Sequence, residues 1–199
     1  MIKKRAKERT IKLYDLSITE FTILGLDCSS STIGWGLIGY KPDKTFALLA
    51  HGHIKPLDSK HDFMKRLSNV FDSISALCEE FKPSVVAVED ILMYVRGSSS
   101  ARTITILAAF NRVAALAAFR CVGKLHLYDV HNIRKIIKIA YNLKHTPDKE
   151  QMPDLIRTYL EPQFSDILKP KGGVADTTRD EADGIAVAWA YALDVRSKE

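Results

Sequence analysis

Cysteine is scarce in this chain of 199 residues: Cys28, Cys78 and Cys121 form an odd, widely separated set with no C-x-x-C pair. Neither a disulfide framework nor a cysteine zinc site organises the molecule, and a reducing, cytoplasmic compartment is expected. Long apolar runs are missing as well. No stretch approaches the roughly 18 uninterrupted apolar residues that crossing a bilayer takes, so no membrane partner is expected. The basic start, MIKKRAKERTIK, has no apolar segment behind it and does not read as a secretory signal. There is no G-x-x-x-x-G-K-[ST] phosphate loop, which disposes of one tempting motif. Asp180-Glu181-Ala182-Asp183 spells the helicase DEAD box, but without that loop, and without length for two motor domains, the helicase reading fails. Internal repeats and low-complexity linkers are absent too.

What remains is an ordinary globular balance, 46% hydrophobic against 27% charged residues. The formal charge of +5 and a pI near 9.0 lean towards an anionic partner. Residues 1–20 read as a basic extension, either a solvated tail or an arm that touches DNA. Residues 21–195 read as one domain.

Regular structure is expected from Phe21. Residues 21–27 form a short apolar run ending in Asp27, and residues 34–40 and 45–54 read as a hairpin turning at Lys41-Pro42-Asp43-Lys44. Phe63, Leu67, Val70, Ile74, Leu77 and Phe81 recur at helical spacing until Pro83. Val85 to Val88 is a buried parallel-type strand that ends at Glu89. An Ala-rich helix (102–119), a strand (125–130) and helices at 131–141, 151–160 and 179–193 follow. The order β-β-β-α-β-α-β-α-α-α implies an α/β fold: a mixed five-stranded sheet, antiparallel at its start and then parallel, with helices on both faces.

Two strands finish in an acid, Asp27 and Glu89. If they are parallel neighbours, about 4.8 Å apart, both carboxylates enter one crevice beyond the strand ends. Asp180 and Asp183, three residues apart, share one helix face. Four carboxylates facing one point hold one or two hard divalent cations, Mg²⁺ by preference, with room left for water and phosphate. Each acid also has a plainer role open to it, as a turn former or as a first-turn complement to the helix dipole. The combination favours the metal site. Trp35 and Trp189 read as core. His51, His53, His61 and His126 have no partner at ligand spacing, and His51-x-His53 reads as an exposed strand pair. The thiol of Cys28 is expected to titrate high beside carboxylates.

Three segments also carry a resemblance. Ile23-Leu-Gly-Leu-Asp27-Cys-Ser-Ser-Ser-Thr-Ile-Gly34-Trp-Gly36 resembles the first strand and hairpin of the RuvC-type Holliday junction resolvases. Val86-Ala-Val-Glu89-Asp-Ile-Leu-Met93 is similar to their second motif, and Arg179-Asp180-Glu-Ala-Asp183-Gly-Ile-Ala186 to their last. The resemblance spans about residues 21–193. It implies an RNase H-like homodimeric endonuclease that nicks four-way DNA junctions symmetrically, leaving 5′-phosphate and 3′-hydroxyl ends. Asp27, Glu89, Asp180 and Asp183 fall on the family's ligands for two Mg²⁺, with Mn²⁺ able to substitute. In that scheme Asp27 bridges both ions, Glu89 serves one, and Asp180 with Asp183 the other. Lys149 falls on the basic residue that approaches the scissile phosphate, and Arg134 on a second basic position. The 102–119 helix corresponds to the dimer-forming element. Arg96, Arg102, Arg134, Lys135, Lys138 and Lys149 are the basic residues expected to line the DNA.

Three positions depart from the family pattern. Cys28-Ser29 replaces a Pro-Gly, Leu92 stands where a base-stacking aromatic is usual, so that either Tyr94 two residues on takes that role or base stacking is weaker, and the stretch between Tyr141 and Lys149 is long. These departures point to a phage-like or otherwise divergent member, with relaxed cutting of branched DNA as the alternative activity. A nucleotide-binding module of the actin or sugar-kinase kind shares the first hairpin but needs a second phosphate loop that this chain lacks. A catalytically silent junction-binding protein has no use for four packed carboxylates.

Overall fold

A computed structural model describes residues 7–13, 19–91, 100–166 and 175–198. Its six-stranded sheet runs in the order β1-β4-β3-β2-β5-β6, where β1 is Lys7–Lys12, β2 Phe21–Cys28, β3 Ile33–Tyr40, β4 Phe46–Lys55, β5 Val85–Glu89 and β6 Leu125–Tyr128. The antiparallel start continues into parallel pairings of β2 with β5 and β5 with β6, as the element order implies. The strand count is one higher than expected. Lys7–Lys12, within the stretch expected to precede regular structure, pairs antiparallel along the outer edge of β4. Its alternation is too weak to announce a strand, and the exposed edge of β4 supplies the pairing partner instead.

The helices cover both faces. On one side α1 (Phe63–Phe81) and α2 (Ala101–Val122) pack over Leu24, Leu26, Trp35, Val86 and Val88. On the other, α3 (Val130–Ala140), α4 (Met152–Tyr159) and α5 (Asp176–Arg196) pack over Ile23, Ile38, Val85 and Ala87, with Trp189 in the core. Helix boundaries follow local chemistry. The Asp62 carboxylate accepts hydrogen bonds from the Met64 and Lys65 amides to start α1, and Lys82 turns left-handed (φ 44°) ahead of Pro83 to end it. Asp129 caps α3 through the His131 amide, which is why β6 stops at Tyr128 rather than at residue 130.

By length and hydropathy α2 could cross a membrane. One face of it packs on the sheet and α1: Phe110, Asn111, Ala114, Ala115, Ala117 and Ala118 are buried, while Leu116 and Phe119 face outward.

Candidate active site

Strand alternation aims the first two acids. Along β2, Leu24, Leu26 and Cys28 face the α1–α2 side, so Ile23, Gly25 and Asp27 face α5. The same parity along β5 sends Val85, Ala87 and Glu89 to that face. Leu26 is paired with Val88 in the parallel register, so Asp27 and Glu89 end adjacent strands side by side. The second pair descends from above. Helix α5 starts at Asp176, three residues earlier than the sequence pattern indicates, so Asp180 and Asp183 lie in its second turn. That removes them from the first turn, where an acid merely complements the helix dipole.

Helix α5 reaches the sheet because glycines let it. A Cβ on Gly34 would lie 1.7 Å from the Asp180 carbonyl oxygen, and one on Gly184 2.5 Å from the Gly34 backbone. Backbone therefore rests on backbone where the two acids approach Asp27.

Lys149 completes the cluster. Its ammonium lies 3.0 Å from Asp180 Oδ1 and 3.1 Å from Asp183 Oδ2, while an Arg134 guanidinium nitrogen stands 3.8 Å from Asp183 Oδ1. The turn bearing Lys149 is closed by reciprocal bonds: the Gln151 amide donates to Asp148 and the Asp148 amide to Gln151 Oε1. Arg179 ties that turn to α5 through Glu150 at 2.6 Å. Glu89 is steadied from behind, since the buried Asn111 side chain donates to its carbonyl oxygen at 2.7 Å. No motif singles out Asn111; a polar side chain on the inward face of an Ala-rich helix is the only signal the sequence offers for it.

The acids are strained electrostatically. Burial, with repulsion from Asp183 and Asp180 outweighing the attraction of Lys149 and Arg134, pushes Asp27 from 3.8 up to about 7. Burial and the neighbouring Asp27 and Asp183 push Glu89 from 4.5 up to about 8. Asp183 is also raised, chiefly by burial, although Lys149 and Arg134 oppose it. Cys28 is raised by burial and by the flanking Asp27 and Glu89, as expected for a thiol beside carboxylates. Lys149 loses some basicity to burial but gains more from Asp183 and Asp180, so it stays charged at neutral pH. In this arrangement Asp180 and Asp183 both turn to the Lys149 ammonium. Crowded, desolvated carboxylates with high proton affinity are the donor set a hard dication relieves.

A stability prediction follows. Asp27 and Glu89 hold protons in the folded chain that an unfolded chain releases near pH 4, so folding binds extra protons between about pH 4 and 8. Stability of the metal-free protein falls as pH rises through that window. Thermal melts in chelator should drop by roughly 5 °C between pH 5 and 8, and Mg²⁺ should restore the loss at pH 8. A midpoint that rises over the same interval would contradict the crowding.

The remaining predicted residues divide. Lys135 and Lys138 share α3 with Arg134, and Arg102 is exposed near the start of α2. Tyr94, Arg96 and Leu92 lie outside the described residues, as do Lys169 and Lys171. The histidine reading needs correction. His51 and His53 are buried, not exposed, and both bond Glu181 of α5. The pattern His-Gly-His suggests a wet face, but this sheet is covered on both sides. A bulge at Leu49 also shifts the phase of β4, turning both rings towards α5.

A mixed sheet of this order, covered by helices on both faces, is of the RNase H-like class. The crossover junction endodeoxyribonuclease RuvC family model matches residues 23–190, and the chain belongs to that family of metal-dependent nucleases. RuvC of Caulobacter vibrioides is 31% identical over 170 residues, covering 85% of this chain and 88% of the relative. RuvC of Rubrobacter xylanophilus is 27% identical over 180 residues, or 90% and 89% of the two chains. Among solved structures, T. thermophilus RuvC in complex with a Holliday junction substrate superposes with a TM-score of 0.66 at 17% identity, covering 89% of this chain and 96% of that one. The yeast mitochondrial Holliday junction resolvase Ydc2 gives 0.58 at 14% identity, covering 90% and 83%.

Proposed function

We propose that this protein resolves four-way DNA junctions as a homodimer, each subunit nicking one strand to leave 5′-phosphate and 3′-hydroxyl ends. The observation that carries the reading is the meeting of Asp27 and Glu89, on adjacent strand ends, with Asp180, Asp183 and Lys149. Asp27, Glu89, Asp180 and Asp183 would hold two Mg²⁺, with Mn²⁺ able to substitute. When bound, these ions supply the Lewis acidity for in-line hydrolysis without a covalent enzyme intermediate.

The chain's own residues do the rest. Lys149, permanently charged, neutralises negative charge at the phosphate, with Arg134 beside it. It cannot serve as a base at neutral pH, because the surrounding carboxylates hold its proton. Arg102, Lys135 and Lys138, together with Arg96 and Tyr94, are read as the DNA-facing set, and their cations attract the backbone irrespective of sequence. The outward Leu116 and Phe119 of α2, 53% and 52% exposed, offer the apolar face that a second copy covers. Residues 21–195, with β1 added along the edge of their sheet, are read as the nuclease domain, and a DNA-associated cytoplasmic location goes with the activity.

The test is cleavage of a labelled immobile four-way junction with Mg²⁺, beside a linear duplex and a three-way flap, with the mass of the free protein measured at micromolar concentration. Paired symmetric nicks in the junction alone, from a dimer, are expected. Cutting of every branched form would make it a debranching nuclease. Binding without cutting would make it a silent structural protein, and a stable monomer would overturn paired nicking.

A further inference from the structure

Glu181 stands between the two helical acids in sequence yet faces away from them, towards β4. His51 Nδ1 lies 2.7 Å from its Oε2 and His53 Nδ1 2.7 Å from its Oε1. The burial is close to complete, with Glu181 and His51 1% exposed and His53 9%. The ring of Phe164 closes over His51 at 5.1 Å. Stability alone does not account for such a cluster. Withdrawing a carboxylate from water costs several kcal/mol, and well-packed apolar residues of similar volume commonly stabilise a fold as well or better.

What the cluster supplies is orientation. At Gly34 and Gly184 the helix rests on the sheet backbone to backbone, a contact that sets how near α5 comes, while Ile185 and Trp189 anchor the helix in the core further along. Glu181 is gripped by both oxygens from a different strand, one place further out in the sheet. At 3.6 residues per turn, any roll of α5 that would move Glu181 swings Asp180 and Asp183 through the same angle. We infer that His51, Glu181 and His53 form a positioning clamp that fixes the roll of α5, and thereby the affinity of the acid cluster for divalent cations. The inference rests on reading Asp27, Glu89, Asp180 and Asp183 as the cation site.

Residues that orient metal ligands typically govern affinity by 10–100-fold. Glu181→Gln keeps the shape of the side chain while weakening its grip on the two rings. It should lower Mn²⁺ affinity, read from the free-ion electron paramagnetic resonance signal without DNA, by roughly 10-fold. The Mg²⁺ needed for half-maximal junction cleavage should rise in step, with the rate largely restored at saturating Mg²⁺. A folded Glu181→Gln protein with unaltered Mn²⁺ affinity, measured where Asp27→Asn does lose affinity, overturns the clamp, whatever its melting temperature. If circular dichroism shows that variant unfolded, His53→Gln decides, since His53 lies at the rim of the cluster and the His51 bond survives. Weaker Mn²⁺ binding in that variant supports the clamp and unchanged binding overturns it. Asp27→Asn, run alongside, separates the two failures: if it too binds Mn²⁺ at full affinity, the fault lies in the cation-site reading and not in the clamp.

Discussion

Asp27→Asn should abolish junction cleavage, by on the order of 10³-fold or more, while junction binding in the presence of chelator persists. Asp27 feels the whole cluster: repulsion from Asp183 and Asp180 and attraction from Lys149 and Arg134 all act on its carboxylate. The same substitution should make the metal-free protein more stable at pH 8, by roughly 3 °C in melting temperature. Asparagine keeps the shape of the side chain and removes a charge that the folded state holds at a cost, so activity and stability move in opposite directions. Cleavage assays and melts in chelator measure both. An active variant would remove Asp27 from the catalytic site, and a variant less stable at pH 8 would mean that the carboxylate is not destabilising where it stands.

Gly34→Ala should behave in the opposite sense, losing stability and activity together. The new methyl would lie 1.7 Å from the Asp180 carbonyl oxygen and 2.3 Å from its carbon, both backbone atoms that cannot swing aside. Relief requires lifting the start of α5 off β3, which forfeits packing along the most extensively buried helix of the fold. Overpacking of this kind costs about 3 kcal/mol or more, and it moves Asp180 and Asp183 away from Asp27 as it does so. Denaturant unfolding should show the loss, and Mn²⁺ binding should weaken in parallel. A Gly34→Ala protein of normal stability would mean that α5 sits more loosely than the glycine contact implies.

Much of the site is legible in the chain itself. Asp27 and Glu89 stand out because each ends a short apolar run, and in a sheet buried on both faces a charge can be placed only where the strand runs out into a crevice. Asp180 and Asp183 stand out by their spacing, although only the earlier start of α5 distinguishes ligand geometry from dipole complementation. The N-terminal strand is not legible, because an edge strand owes its existence to a partner some forty positions away rather than to its own periodicity. Nor is the His51–Glu181–His53 cluster. Its members lie 128 and 130 residues apart in pairs, and the bulge at Leu49 that aims the two rings leaves no mark in composition.

The course of β1 has a practical corollary. Strands β2 and β4 point the same way and β1 runs against β4, with Lys7 opposite Lys55. The leading end of β1 therefore emerges level with Asp27 and Glu89, while α5 starts at that end and runs back until Arg196 lies over Phe46 at the far rim. A bulky fusion partner ahead of Lys7 would hang beside the mouth through which nucleic acid must enter. The same partner attached beyond Arg196 would trail from the opposite pole, which makes the tail of α5 the natural place for a handle, a fluorophore or a surface tether.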